Sequence, residues 1–458
     1  MLFRKIFIAL LLFTSTTGIA QNRQGIVSGP WVGNLELRNA TIWVEVMPLV
    51  KKVAVSYTKA GTTGGGKKVE YNGELGNDFN PVKISLNGLE MNTTYNYVIV
   101  VDGKPMTTAY PTKFTTKELW QWRKPAPDFN FLTGSCAYFN EPIYDRPGKP
   151  YGGDSSIFET MATTPASFHL WLGDNWYTRE PDYNTAWGLN YRASHDRALP
   201  VLQKFWASMP QYAIWDDHDF GPNDANSSYI LKEESRKVFM NYWLNPSYGE
   251  EGKGIYTRFS WSDADFFLLD DRYFRSADNL PDSINGEPNR NKIMYGLQQL
   301  VWLENALATS NATFKIIATG SQVLNPLSPG DCLKHFPIEY ARLMSMLSLN
   351  NVSGVIFLTG DRHHSEINKK ARPGNYPLYD VTVSPYTSGT TKFSGAEKNN
   401  PSRVLGIEGQ QNFGNISVSG KQGERTFKVV FLGIKGENLG EWSVSEKELK
   451  SPNNNRGE

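Results

Sequence analysis

The sequence predicts a small all-β module followed by a layered α/β region, and three observations carry that prediction. Residues 25–118 consist of short strand-like runs separated by Gly- and Asp-containing turns. From Phe129 onward, apolar runs of strand length alternate with stretches of helical spacing. Between them, Lys117 to Asp128 is polar and contains Pro125 and Pro127, the composition of a linker. The chain has 458 residues, 40% hydrophobic and 13% aromatic, enough for two or three units with a large core and too apolar for disorder.

The elements follow in order. Arg4 and Lys5 precede an apolar run from Ile6 to Phe13 and small residues up to Ala20, so residues 1–20 read as a cleavable signal peptide. That run is too short to span a bilayer, and no Cys follows it to carry a lipid. The expectation is a soluble protein, secreted or periplasmic. Loss of Arg4 and Lys5 from 47 basic residues leaves 45 against 46 acidic ones. With no basic block, stable binding to nucleic acid or to an anionic membrane is not expected.

In the first module, Ala40-Thr41-Ile42-Trp43-Val44-Glu45-Val46 and Lys52-Val53-Ala54-Val55-Ser56-Tyr57 have strand chemistry. Thr94 to Val101 alternates and ends in the turn Asp102-Gly103. The Leu-rich turn leading into Thr-x-Tyr-x-Tyr resembles a fibronectin-type sandwich. In the second region the expected strands are 129–134, 168–173, 211–215, 265–270, 314–319 and 355–359, with helices at 231–244 and 297–308 and a further strand at 426–434. Taken alone, the alternation suggests a single parallel sheet.

Acidic and His residues stand immediately after these strands: Gly134-Ser135-Cys136, Gly173-Asp174-Asn175-Trp176-Tyr177, Trp215-Asp216-Asp217-His218-Asp219 and Gly360-Asp361-Arg362-His363-His364. Side chains just past the carboxyl ends of neighbouring strands converge. Carboxylates and imidazoles hold Mn, Fe, Zn or Ca. Two such metals sharing a carboxylate can acidify water and clamp a phosphoryl group. Asp174 is the candidate bridge, and Tyr177 can fold back on the same centre. Asp361 and His363, two apart, can face one cavity, which turns His364 elsewhere, to an outer position or the substrate. His218 can be a ligand, a general acid or a phosphate contact. His169, His195 and His335 read as structural or surface residues, the last two without acidic partners.

With those motifs, Asn223 and Leu269-Asp270-Asp271-Arg272-Tyr273-Phe274-Arg275, residues 129 to about 390 resemble the PhoD-like alkaline phosphatase family of the calcineurin-like metallophosphoesterases. The resemblance implies an α/β (α+β) metallophosphoesterase core over 129–445, a two-sheet β-sandwich flanked by helices, rather than one sheet. It implies hydrolysis of phosphomonoesters or phosphodiesters by a metal-bound hydroxide, with Fe and Ca as the metals and Mn or Zn as substitutes. Small phosphate esters, including nucleotides or nucleic-acid fragments, are the implied substrates. Cys136, Asp174, Tyr177, Asn223, Asp361 and His363 match the family's metal positions. Asp217 and His218 stand where relatives place Asn-His, as ligand and catalytic residues. Arg272 and His364 are assigned to catalysis or substrate binding, although Arg272 can equally be an ion-pair partner. The resemblance also turns Cys136 from half of a Cys136–Cys332 disulfide into a thiolate ligand. Two departures stand out: Arg4-Lys5 is not a twin-arginine signal, and Gly221-Pro222 sits where it can shift Asn223. A purple-acid-type phosphatase or nucleotidase is the enzymatic alternative, and a surface adhesion or glycan-binding protein the non-enzymatic one.

Overall fold

The computed structural model describes residues 25–451, so the segment read as a signal peptide and the tail from Pro452 lie outside it. Eight strands between Ile26 and Thr115 form two sheets that pack face to face. Alternation builds this sandwich: Tyr95, Tyr97, Ile99 and Val101 of strand Thr94–Val101 point into a core with Val53, Val55 and Tyr57 of strand Val53–Lys59. The Asp102-Gly103 turn has positive φ at both residues (47° and 81°), the conformation a two-residue hairpin needs.

The second region is built on two sheets, which corrects the single-sheet reading. The first runs in the order Gln211–Ile214, His169–Leu172, Phe129–Gly134, Asn412–Ser419, Thr426–Gly433, Asn438–Ser445, parallel over the first three strands and antiparallel after. The second has seven strands, with Ala264–Leu268, Phe314–Thr319, Val355–Thr359 and Asn375–Thr382 parallel at its centre. The pleat decides what each sheet covers. Phe131, Leu170 and Ile214 face the other sheet and meet Phe266, Ile316 and Leu358. The alternate residues Leu132, Trp171 and Ala213 face helices Ile157–Thr163, Ala186–Ala198, Pro200–Ser208 and Lys232–Tyr242. The expected helices at 231–244 and 297–308 are found at Lys232–Tyr242 and Leu297–Ala308.

The two modules join through aromatics. Trp31 and Trp43 of the first module are fully buried beside Trp206, Trp243 and Tyr242. Beneath them the Arg197 guanidinium lies among four rings, with its carbon 4.3 Å from the Trp243 centroid, 4.4 Å from Trp176, 5.2 Å from Tyr242 and 5.7 Å from Trp206. Glu45, on strand Asn39–Val46, accepts from Ser194 Oγ (2.8 Å) and the Tyr242 hydroxyl (2.9 Å) across the same joint. No helix among the described residues is long and apolar enough to cross a membrane.

Candidate metal centre

The strand ends deliver their motifs to one place because glycines let them approach. Gly173 has φ +91°, and a Cβ on it would lie 2.7 Å from Asp216 Cβ. A Cβ on Gly360 would lie 2.6 Å from the Leu172 carbonyl and 2.7 Å from Ser135 Cβ. Beyond these glycines the backbone is held in the left-handed region at four non-glycine residues: Cys136 (62°), Asp174 (51°), Asp361 (68°) and His363 (57°). Such conformations are costly and cluster at functional sites.

Two groups of donor atoms result, each within 4.8 Å: Cys136, Asp174 and His363, and Asp174, Asp217 and His218. Asp174 belongs to both. The Tyr177 hydroxyl donates to Asp174 Oδ2 (3.0 Å) and lies 3.4 Å from His363 Nε2, and its ring sits 4.1 Å from that of His218. The Cys136 thiol reaches Asp174 Oδ2 at 3.4 Å. Ser384 Oγ donates to Cys136 Sγ (3.2 Å) and accepts from the His363 amide (2.9 Å), tying the two motifs together. Behind Asp217, the Asp216 and Asp219 side chains form a capping box on the short helix Asp217–Phe220. Asp219 also accepts from the Asn175 amide, which locks the second motif to the third.

The electrostatics follow from packing these acids and imidazoles together out of water. Burial, reinforced by the charges of Asp217, Asp219 and Asp361, raises the Asp174 carboxyl well above its usual range. Burial and Asp174 raise the Cys136 thiol, burial and Asp174 raise the Tyr177 phenol, and burial, with Asp331, pushes Asp361 up to about 7. Burial alone would raise Asp217 too, but His218, Arg272 and the Asp224 amide together hold it low. Burial takes His363 down to about 4 and lowers His218. Asp174, Cys136, Tyr177 and Asp361 raised, Asp217 already ionised and the imidazoles kept neutral, with His218 Nδ1 buried and unpartnered, are a protonation pattern that a bound cation reverses for the raised acids and uses directly for Asp217 and the imidazoles. The sulfur, oxygen and nitrogen donors therefore fit a metal.

Not every expected residue arrives there. Asn223 is exposed and donates its amide to Asp224 Oδ2 (2.6 Å). Gly221-Pro222 swings it out, and the neighbouring Asp224 amide bonds Asp217 Oδ2 instead (2.7 Å). Arg272 is fully buried, with Nε on Asp216 Oδ1 (2.5 Å) and Nη2 on Asp331. Its fork is committed to carboxylates, and only Nη1 lacks a protein partner, so it is an ion-pair residue rather than a phosphate clamp. His364 is buried against Phe393 and shares a hydrogen bond with Thr391 Oγ1 (3.0 Å), facing away from the donors because strand Ser365–Arg372 begins immediately after it. Cys136 and Cys332 are both free, against the disulfide. His195 and His335 do have acidic partners, Asp196 and Asp282, each at 2.9 Å. Two residues have no signal in the motifs. Ser384 follows a strand, Asn375–Thr382, that the apolar-run reading did not pick out, and Tyr151 lies in a Gly- and Pro-rich loop, with its hydroxyl 3.0 Å from His363 Nδ1.

A double sandwich with a carboxylate shared between two strand-end donor groups is the architecture of a metallophosphoesterase-type fold. A solved structure of PhoD superposes with a TM-score of 0.72 at 17% identity, covering 92% of this chain and 89% of that one. A purple acid phosphatase from yellow lupin (Lupinus luteus) gives 0.64 at 11% identity, covering 91% and 74%. The PhoD-like phosphatase family model matches residues 131–417, more than half the sequence, and the chain belongs to that family. Alkaline phosphatase D of Bacillus subtilis (strain 168) is 24% identical over 333 residues, 62% of this chain and 53% of the relative, so the chain spans about half that protein's length.

Proposed function

We propose that this protein hydrolyses phosphomonoesters or phosphodiesters at a metal centre that Asp174 and the two donor groups sharing it would hold. The observation that carries the reading is the membership of Asp174 in both donor groups; the family and the alkaline phosphatase relative support the reaction class. Cys136, Asp174, Tyr177 and His363 would hold one ion, a set that suits Fe or Zn. Asp174, Asp217 and His218 would hold a harder one such as Ca or Mn; Asp361 is in neither donor group, but its charge acts on Cys136 and Asp174. When bound, such ions supply Lewis acidity, drawing charge from a phosphoryl group and making water more acidic.

The chain's own residues prepare that chemistry. The Tyr177 hydroxyl orients Asp174, and its ring backs His218. His218, neutral and with Nδ1 unpartnered, offers a lone pair to the second donor group. Arg272 fixes Asp216 and through it the turn that presents Asp217 and His218. Tyr138, Tyr151 and Tyr177 form an aromatic wall that excludes water from one side. Export through a signal peptide is part of this proposal and rests on Arg4, Lys5 and the apolar run that follows.

The test is elemental analysis of the purified protein together with hydrolysis of p-nitrophenyl phosphate and bis-p-nitrophenyl phosphate. Asp174→Ala is expected to lose bound metal and both activities while keeping the wild-type circular dichroism spectrum. Wild-type turnover in that variant would reject the site.

A further inference from the structure

We propose that Ser384 is a positioning residue whose hydroxyl hydrogen is reserved for the sulfur of Cys136, so that the thiolate ligates as a hydrogen-bonded, weakened donor; this rests on the metal reading above. A serine hydroxyl has one hydrogen to give and two lone pairs to offer. At Ser384 the backbone decides how they are used, because the His363 amide donates to Oγ (2.9 Å). The hydrogen is left for an acceptor, and Cys136 Sγ lies at 3.2 Å. Ser135 is the rival, with its Oγ 3.3 Å from the same sulfur, but its hydrogen goes to the Val383 carbonyl (3.1 Å). The thiol's own hydrogen goes to Asp174 Oδ2 (3.4 Å). The Ser384 bond therefore falls on a sulfur lone pair, and it survives when a metal takes the place of the thiol hydrogen.

Such a bond is useful only if both of its ends are fixed independently, and they are. The Ser384 amide donates to Ser365 Oγ (3.0 Å), and the Ser384 carbonyl accepts from Asn412 Nδ2 (3.0 Å). The Cys136 carbonyl accepts from the Thr387 and Ser388 amides (3.2 and 3.1 Å), and the Cys136 amide donates to the Gly173 carbonyl (3.4 Å). Both residues are fully buried, so water does not compete for the sulfur. A hydrogen bond to a metal-bound sulfur draws electron density from it and is one of the means by which a protein tunes a thiolate centre. Through the same oxygen Ser384 holds the backbone of His363, a fellow member of the Cys136 donor group. One hydroxyl thus sets the spacing of two ligands and the donor strength of one.

The experiment adds Co2+ to metal-free wild type, Ser384→Ala and Ser365→Ala, and follows the near-ultraviolet band of thiolate-to-cobalt charge transfer. Ser365→Ala removes the hydroxyl that holds the Ser384 amide without touching the sulfur. Loss of an outer partner of a metal ligand costs ~10- to 100-fold in affinity, so Ser384→Ala is expected to bind Co2+ at least about tenfold more weakly. Its band is expected at longer wavelength, because a sulfur without its hydrogen bond gives up charge more easily, while Ser365→Ala keeps the wild-type position. A band unmoved in Ser384→Ala overturns the proposal even where affinity falls, since the hydroxyl would then serve only the His363 backbone. An equal move in Ser365→Ala also overturns it. Should Ser384→Ala fail to fold, the cobalt–sulfur stretch of wild type decides. Resonance Raman spectra in H2O and D2O are expected to differ in that stretch, and identical spectra overturn the proposal. Co2+ bound by wild type without a thiolate band overturns Cys136 as a ligand, and no Co2+ binding at all overturns the metal site itself.

Discussion

Glu45 is a buried carboxyl at the joint between the two modules, and its titration should be visible in the stability of the whole chain. Burial is the main cause of its shift, and the bonds from Ser194 and Tyr242 and the charge of Arg197 only partly offset it, so the group is pushed from 4.5 up to about 7. The gap is worth about 3 kcal/mol at ~1.4 kcal/mol per pH unit. The sign follows from proton counting: between these two values the folded protein holds a proton that the unfolded chain has released, so stability falls as pH rises from 4.5 to 7 and is flat beyond. Glu45→Gln stays neutral throughout and keeps the acceptor that Ser194 and Tyr242 use. Its amide group falls where Glu45 Oε2 has no partner, a cost of about 1 kcal/mol. The variant should therefore be about 2 kcal/mol more stable than wild type at pH 8 and slightly less stable at pH 4.5. Urea unfolding at several pH values between 4.5 and 8 reads this directly. A wild-type-minus-variant difference that does not change with pH would refute the reasoning.

Two other outcomes follow from the geometry. Gly173→Ala places a Cβ 2.7 Å from Asp216 Cβ at a φ of +91°; it should cost about 2–4 kcal/mol and reduce bound metal, measured by unfolding and elemental analysis. With both cysteines free, the protein should show two titratable thiols in denaturant with chelator, and Cys136→Ser but not Cys332→Ser should lower bound metal.

Seven strands of the second region were legible because each is a short apolar run with strand chemistry, while more polar strands such as Asn375–Thr382 and Asn412–Ser419 were not; the carboxyl ends marked the site because Cys136 follows Gly134 and acidic and His residues follow Gly173 and Gly360. The pairing was not legible. Asn412–Ser419 joins Phe129–Gly134 across nearly the whole second region, and no local period encodes a partner so far away, so the alternation suggested one sheet where two exist. Individual side chains failed for local reasons. Asn223 is carried outward by Gly221-Pro222, the Arg272 fork is taken by Asp216 and Asp331, and His364 turns inward where a new strand begins. Tyr151 reaches the site from a loop whose closure depends on an Asn140–Gly152 pair twelve residues apart, a contact no motif announces.

The aromatic joint changes what the linker at 117–128 means. Trp176, two residues beyond Asp174, stacks on Trp243 at 6.4 Å, and Trp243 meets Trp31 of the first module edge-on at 5.9 Å. From the first sandwich to the carboxylate that bridges the donor groups is thus a short run of touching rings. A chain cut at the linker would leave Trp206, Tyr242 and Trp243 facing water and strip Ser194 and Tyr242 of their acceptor on Glu45. The first module is the rear wall of the catalytic region, and the two divide along the sequence without dividing as mechanical parts.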